Sequence, residues 1–402
     1  MTLLKSLNPK LLLILFGLLI TNTGSFMILP FLSLYLNHMN LPATTIGLVL
    51  MVNMICQRGL TFFGGILNDR FGEKKLLIIG MSIRLTGYIL YSFASGLQLI
   101  FLASAFVGLG GALFAPGLMA MIAKLAGAFK PQVFALRNTV INIGSSLGPI
   151  LGGLLYQYSV FWVFLLTSLA HFIFLVLIIL NGPNDIIAKR KIHVIASFRI
   201  ILKNKTVLLL ALMNAIFWFL YSQFNLSIPL YMKIFFNQPS LTGLVFTING
   251  VFVIFLQYVI VKLAFQRCKN QTILISGFLF MGIAYFTLGL IPHLSSVFLF
   301  VLLFSMSEVL VFPTIDNLVS DLADEALLST YYGFVDIGWA IGATLGNLLG
   351  GIFIGFAQNH HLFVIIWIGY GCLSILALPL IFLMVSLNRI ASKRRTQAKG
   401  EI

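Results

Sequence analysis

Charge is scarce in this sequence. Of 402 residues only 9% are charged, and ten acids face 25 lysines and arginines, for a net charge of +15. A soluble globular chain carries about 25% charged residues and about 45–50% apolar ones. Here 60% are hydrophobic and the mean hydropathy is +1.05. No soluble core encloses that much apolar surface, whereas a bilayer does. The three cysteines, Cys56, Cys268 and Cys372, fall in or beside apolar runs. They have no metal-ligand spacing, imply no disulfide framework and read as packing residues. A phosphate-binding Gly-x-x-x-x-Gly-Lys-Ser/Thr loop is absent, which argues against an ATP-driven pump. No metal cluster and no catalytic triad stand out, so neither a metal, a cofactor nor an enzyme is expected. His360 and His361 are adjacent, and adjacent histidines rarely converge on one ion; they read as a solvated turn. A short apolar stretch with a small-residue cleavage site is missing too. The first apolar run, Leu11 to Leu36, is too long for a signal peptide and reads as a span.

What is present is a series of long apolar runs. Twelve candidate spans lie near 11–36, 44–67, 76–95, 98–123, 132–156, 160–181, 207–232, 240–263, 271–291, 296–319, 328–356 and 362–387. Each approaches the roughly 20 apolar residues that a bilayer crossing needs. The expected fold is therefore an all-α membrane protein. Basic residues recur in alternate connections: Lys5 and Lys10; Arg70, Lys74 and Lys75; Lys124 and Lys130; the run from Lys189 to Lys205; Arg267 and Lys269; and Arg389 to Lys399. The other connections carry Lys233 and little else. By the positive-inside rule both termini face the cytoplasm. The same distribution accounts for the basic balance without nucleic acid.

The one long polar break, Asn181 to Thr206, sits at the middle of the chain, and the two sides repeat. Ile143-Gly-Ser-Ser-Leu-Gly-Pro-Ile-Leu-Gly-Gly153 matches Ile341-Gly-Ala-Thr-Leu-Gly-Asn-Leu-Leu-Gly-Gly351, and Pro116 matches Pro313 half a chain away. Spans 4 and 5 thus correspond to spans 10 and 11. The expected organisation is a six-helix bundle over 1–181, a cytoplasmic linker over 182–206, a second six-helix bundle over 207–388 and a basic tail over 389–402. Duplicated halves are the build of many secondary transporters, with the substrate site between them near the midplane.

Gly65-Ile-Leu-Asn-Asp-Arg-Phe-Gly-Glu-Lys-Lys75 lies between spans 2 and 3. It resembles the signature loop of the major facilitator superfamily, Gly-x-Leu-(small)-Asp-Arg-x-Gly-(basic)-(basic). Gly65, Leu67, Asp69, Arg70, Gly72 and Lys74 match, while Asn68 and Glu73 depart from the pattern. Gly72 suits a tight turn between antiparallel helices. The resemblance implies a gating role for the loop, with Asp69 making and breaking a charge contact to the opposite half. A second segment, Gly144, Gly148, Pro149, Gly152 and Gly153, is similar to the antiporter motif of the drug/proton antiporter branch. The motif's upstream glycine would fall at Ala135, so the match is partial. Plain close packing through glycines four apart is the competing explanation. The branch's span-4 arginine is also missing: Ser104 stands four residues before Gly108. The resemblance implies the twelve-helix major facilitator fold, in two pseudo-symmetric six-helix bundles.

Ionisable residues inside a bilayer are costly and mark function. Glu308 stands ~12 residues into span 10, ~18 Å deep at 1.5 Å per residue. Its repeat partner is Gly111, so the fold does not require a charge there. The segment resembles span 10 of multidrug/proton antiporters, which implies proton coupling at Glu308, with Asp316 or Asp336 as further candidates. Those two aspartates, with Arg58, Arg84 and Arg137, are expected toward the inner side and paired, since bare buried charges are expensive. Arg58 and Asp336 are matched in depth and form a candidate latch between the halves. In the superfamily's fold spans 1, 4, 7 and 10 line the path, which nominates Asn22, Asn214, Trp218, Tyr221 and Gln223 as substrate contacts. Packing against lipid or neighbouring helices is the competing role of each.

These observations point to a monomeric, multi-pass, proton-coupled exporter of small amphipathic organic compounds in a bacterial cytoplasmic membrane, acting by alternating access. A specific metabolite or siderophore exporter, or a nutrient importer, would use the same fold. A non-transporting membrane sensor is the alternative from another class; it would be expected to carry a signalling domain, and these residues hold none.

Overall fold

A chain in lipid has no water to satisfy its backbone, so each crossing segment must bond within itself. In the computed structural model every regular element among the described residues is helical. Those residues are 8–94, 96–126, 130–182, 202, 204–322, 328–384 and 386–387. The linker bases Lys189, Arg190, Lys191, Arg199 and Lys203 and the basic tail lie outside them.

The helices, in order, are α1 Pro9–His38, α2 Ala43–Met54, α3 Thr61–Phe71, α4 Glu73–Phe93, α5 Leu97–Ala126, α6 Lys130–Tyr156, α7 Val160–Asn181, α8 Lys205–Ile234, α9 Thr242–Arg267, α10 Asn270–Leu290, α11 Leu294–Leu322, α12 Leu328–His360 and α13 Phe363–Leu376. Ten helical stretches among the described residues are long and apolar enough to cross a membrane. Two expected spans fall short of that measure. The second is broken: a π-helical turn, Ile55–Gly59, separates α2 from α3, and the Thr61 hydroxyl donates back to the Gln57 carbonyl. In the eighth, the apolar stretch described is the shorter Pro239–Phe255.

Two compact units emerge. The first comprises 1–191 with 224–250 and 347–352; the second comprises 192–223, 251–346 and 353–402.

In the first unit α1 begins at a good cap. Asn8 Oδ1 accepts from the Lys10 amide at 2.9 Å, and Pro9 opens the helix, where its missing N–H costs nothing. Polar residues of α1 turn inward on their own helix: Thr21 donates to the Gly17 carbonyl at 2.7 Å, Asn22 to Leu18 at 2.8 Å and Ser25 to Thr21 at 2.8 Å. This spares them a desolvation penalty. Thr167 on α7 reaches across to the Gly24 carbonyl at 2.8 Å.

Gly144, Gly148 and Gly152 form one stripe of α6 laid on α1. A Cβ at Gly144 would lie 2.9 Å from Asn22 Cβ, and one at Gly148 would lie 2.7 Å from both Phe26 Cβ and the Thr23 carbonyl oxygen. At Gly152 it would run into the Met27 carbonyl. Gly153 faces another way and meets Gly243 of α9. Cys56 packs close to Gly108. Cys268 and Cys372 correct the expectation of three packed cysteines, since both are exposed; Cys268 lies in the bend after α9 and Cys372 on an outward face of α13.

In the second unit polar side chains again act as fasteners. Asn214 of α8 donates to the Val335 carbonyl of α12 at 2.9 Å. Gln223, fully buried, donates to the Gly346 carbonyl at 2.9 Å and accepts from the Tyr370 hydroxyl at 3.2 Å. Tyr285 of α10 donates to the Leu220 carbonyl at 2.6 Å.

Candidate functional site

Glu308 lies midway along α11 and is half-buried. The Tyr221 hydroxyl of α8 donates to its Oε1 at 3.3 Å. Aromatic rings crowd this pair. Tyr221 meets Phe304 at 5.2 Å, Phe312 at 5.7 Å and Trp218 at 4.9 Å between ring centroids. Trp218 stacks on Trp339 of α12 at 4.1 Å, with the planes 12° apart. The carboxyl group therefore sits beside a wall of flat apolar surface carrying one hydroxyl. Offset and edge contacts of this kind between aromatic rings pack the three helices together. α8, α11 and α12 supply every group in the wall.

The sequence-nominated contacts divide here. Trp218 and Tyr221 belong to the wall. The Asn214 and Gln223 amides are engaged in hydrogen bonds to backbone that hold α8 against α12. Asn22, in the first unit, bonds its own helix and packs on Gly144. Trp339 and Phe312 were missed. The usable signal was the spacing Asp336–Trp339, three residues apart and so on one face of α12.

Among the other charges, Asp316 and Asp336 are exposed. They lie near enough to sense each other's charge. Arg58 falls in the π-helical turn, a feature frequent at functional sites. In the first unit Gly111, the repeat partner of Glu308, leaves room for Gln57 from the same turn: a Cβ at Gly111 would lie 3.0 Å from Gln57 Nε2. Arg137 is half-buried on α6. Arg84 stands near the middle of α4.

The loop between α3 and α4 turns on Gly72, whose φ of 96° and ψ of 152° lie in a region that only glycine occupies without strain. Its amide closes α3 on the Asn68 carbonyl at 2.9 Å. Lys74 donates to the Gly182 carbonyl at 3.1 Å, and Glu73, in the first turn of α4, pairs with Lys124. Arg70 is exposed, with its Cζ 5.4 Å from the Phe71 ring centre. The Asp69 side chain lies outside the described residues. Ser104, standing where the drug-exporter pattern has arginine, is fully buried and donates to the Val49 carbonyl at 2.6 Å. α5 packs too closely on α2 there for a longer side chain.

Residues 14–347 match the family model of the Major Facilitator Superfamily. The chain belongs to the major facilitator superfamily. As a member it is a multi-pass membrane transporter of small substrates and not an enzyme. It is similar to the multidrug resistance protein MdtH of Yersinia pestis (strain Pestoides F), 27% identical over 387 residues that cover 94% of this chain and 95% of that protein. The MdtH of Yersinia pseudotuberculosis serotype O:1b (strain IP 31758) matches with the same identity and coverage. Among solved structures, that of the nucleoside transporter NupG (D323A mutant) superposes with a TM-score of 0.80 at 14% identity, covering 94% of this chain and all of that one. The POT family transporter PepTSo gives 0.78 at 14% identity, covering 94% and 98%. At that identity these two likenesses speak for the major facilitator fold alone.

Proposed function

We propose that this superfamily member exports small amphipathic organic compounds in exchange for protons, with Glu308 as the proton carrier. The observation that carries the reading is the Tyr221–Glu308 contact at 3.3 Å beside the Trp218–Trp339 stack. A titratable group and a ring-accepting surface share one site, so a proton and an aromatic compound can compete for it. The name of the MdtH relatives, multidrug resistance protein, agrees with this reading.

In the proposed cycle Glu308 takes a proton from outside while the site faces outward. The halves rock, the proton leaves to the cytoplasm, and a ligand loads beside the aromatic wall. The return stroke carries it out. All twelve expected spans cross the membrane in two six-helix bundles joined by the 182–206 linker, with both termini inside a bacterial cytoplasmic membrane. The protein works as a monomer. The Asp69 loop gates the inner face, and Arg58 and Asp336 latch the halves. Asp316 relays protons at the inner side.

The test is ligand-induced proton movement in everted vesicles holding an imposed pH gradient, with a panel of lipophilic cations. Wild-type protein is expected to dissipate the gradient when a transported cation is added, and Glu308→Gln is expected not to. Equal responses from the two would sink Glu308 as the carrier. Silence from both across the panel would move the reading to a specific metabolite exporter, a nutrient importer or a sensor.

A further inference from the structure

A polar cluster at mid-membrane in the first unit plays no part in the site described above. Arg84 projects from the middle of α4, and its Nη2 donates to Ser25 Oγ of α1 at 3.2 Å. Tyr88, one turn on, donates its hydroxyl to the same Oγ at 3.2 Å, and Arg84 Cζ lies 5.8 Å from the Tyr88 ring centre. Ser25 itself donates to the Thr21 carbonyl at 2.8 Å. A serine hydroxyl has one proton and two lone pairs, so Ser25 has nothing left to offer.

The cluster is short of partners in two places. Arg84 Nε is buried with no hydrogen-bond acceptor. His171 of α7 is completely buried and packs against Tyr88 with ring centroids 4.7 Å apart and the planes tilted by 55°. Its Nδ1 meets the Thr167 carbonyl at 2.8 Å. A carbonyl only accepts, so Nδ1 carries the proton and Nε2 is an open acceptor; that Nε2 has no partner.

Acids are scarce in this part of the sequence as well. Between residues 9 and 182 the sequence has only two acids, Asp69 and Glu73, and both belong to the loop region between α3 and α4. Glu73 is taken by Lys124. A guanidinium held at mid-bilayer without a carboxylate is expensive, and a planar donor fork of this kind matches a carboxylate.

We propose that Arg84, in the cluster of Ser25, Tyr88 and His171, is a recognition point for a carboxylate on the transported compound. The open His171 Nε2 suits an N–H or O–H donor next to that carboxylate. The inference rests on the export reading and adds to the lipophilic cations of that reading amphipathic compounds that bear an acid group, zwitterions among them.

The experiment measures binding to the purified full-length protein through the ligand-induced rise in its unfolding midpoint, with 2-naphthoate and its uncharged analogue 2-naphthamide as probes. Wild type is expected to bind the naphthoate at least about tenfold more tightly, the scale of hydrogen bonds to a charged group. Arg84→Gln is expected to reduce naphthoate to the naphthamide level. Arg84→Lys, which keeps the charge and loses the fork, should fall between and serves should the glutamine variant fail to fold. Equal affinity for the two probes, no binding of naphthoate, or naphthoate affinity unmoved by either substitution would overturn the proposal. Binding needs neither gradient nor turnover. Its failure would leave proton exchange through Glu308 standing, and failure of the vesicle assay would leave a carboxylate site demonstrated through Arg84 standing.

Discussion

Replacing Gly148 by alanine tests how the glycine stripe of α6 is used. The new Cβ would lie 2.7 Å from Phe26 Cβ and from the Thr23 carbonyl oxygen, and 2.9 Å from the Met27 amide nitrogen. Carbon contacts are comfortable at about 3.5–4.0 Å, so α1 and α6 would have to part by roughly an ångström at this level. Overpacking of this kind costs about 1–3 kcal/mol, and the better helix propensity of alanine returns up to about 1 kcal/mol. Two of the three contacts are with backbone, which places the cost near the upper end, so a net loss of about 2 kcal/mol is expected. At roughly 2–4 °C per kcal/mol for a unit of this size, the unfolding midpoint of the purified protein should drop by several degrees. Gly369 is the internal control: it lies within α13 and a Cβ there meets nothing within 4 Å. Gly369→Ala should leave the midpoint unchanged or raise it. A Gly148→Ala protein as stable as wild type would refute the argument that backbone contact with α1 requires this glycine. The motif would then have to be explained by another state of the transport cycle.

Two further outcomes follow from local geometry. Tyr221→Phe removes the hydroxyl that donates to Glu308 and keeps the ring against Phe304, Phe312 and Trp218; proton-coupled transport should fall about tenfold, the scale of one hydrogen bond to a charged group, with ligand affinity little changed. Full activity in that variant would show that the hydroxyl does not serve the carboxyl group. Gly72→Ala places a Cβ on backbone at φ 96° and ψ 152° and should cost about 1–3 kcal/mol. Gly72→Asn should be no better, because this conformation is not the left-handed helical region that asparagine tolerates; an unfolding midpoint restored by asparagine would show that the loop had simply re-formed.

The sequence by itself determined the class of molecule. Scarce charge and long apolar runs left a bilayer as the only solvent for this chain, and the loop from Gly65 to Lys75, with the repeated glycine segment, named the superfamily. Glu308 was visible because a carboxylate in an apolar run stands out without knowledge of what faces it. Tertiary structure decided what each polar residue does. Asn214, Trp218, Tyr221 and Gln223 all lie on α8, yet two of them fasten helices and two form the aromatic wall. A helix that is apolar nearly all round carries little signal of which face looks where, so rotation about its axis is settled only by its neighbours. Likewise Ser25, Arg84 and His171 belong to three separate runs, and only packing brings them around one tyrosine ring. The π-helical turn at Arg58 was hidden for a similar reason. Hydropathy sums over a span and does not register one additional residue per turn, whereas that residue changes the direction of every side chain beyond it.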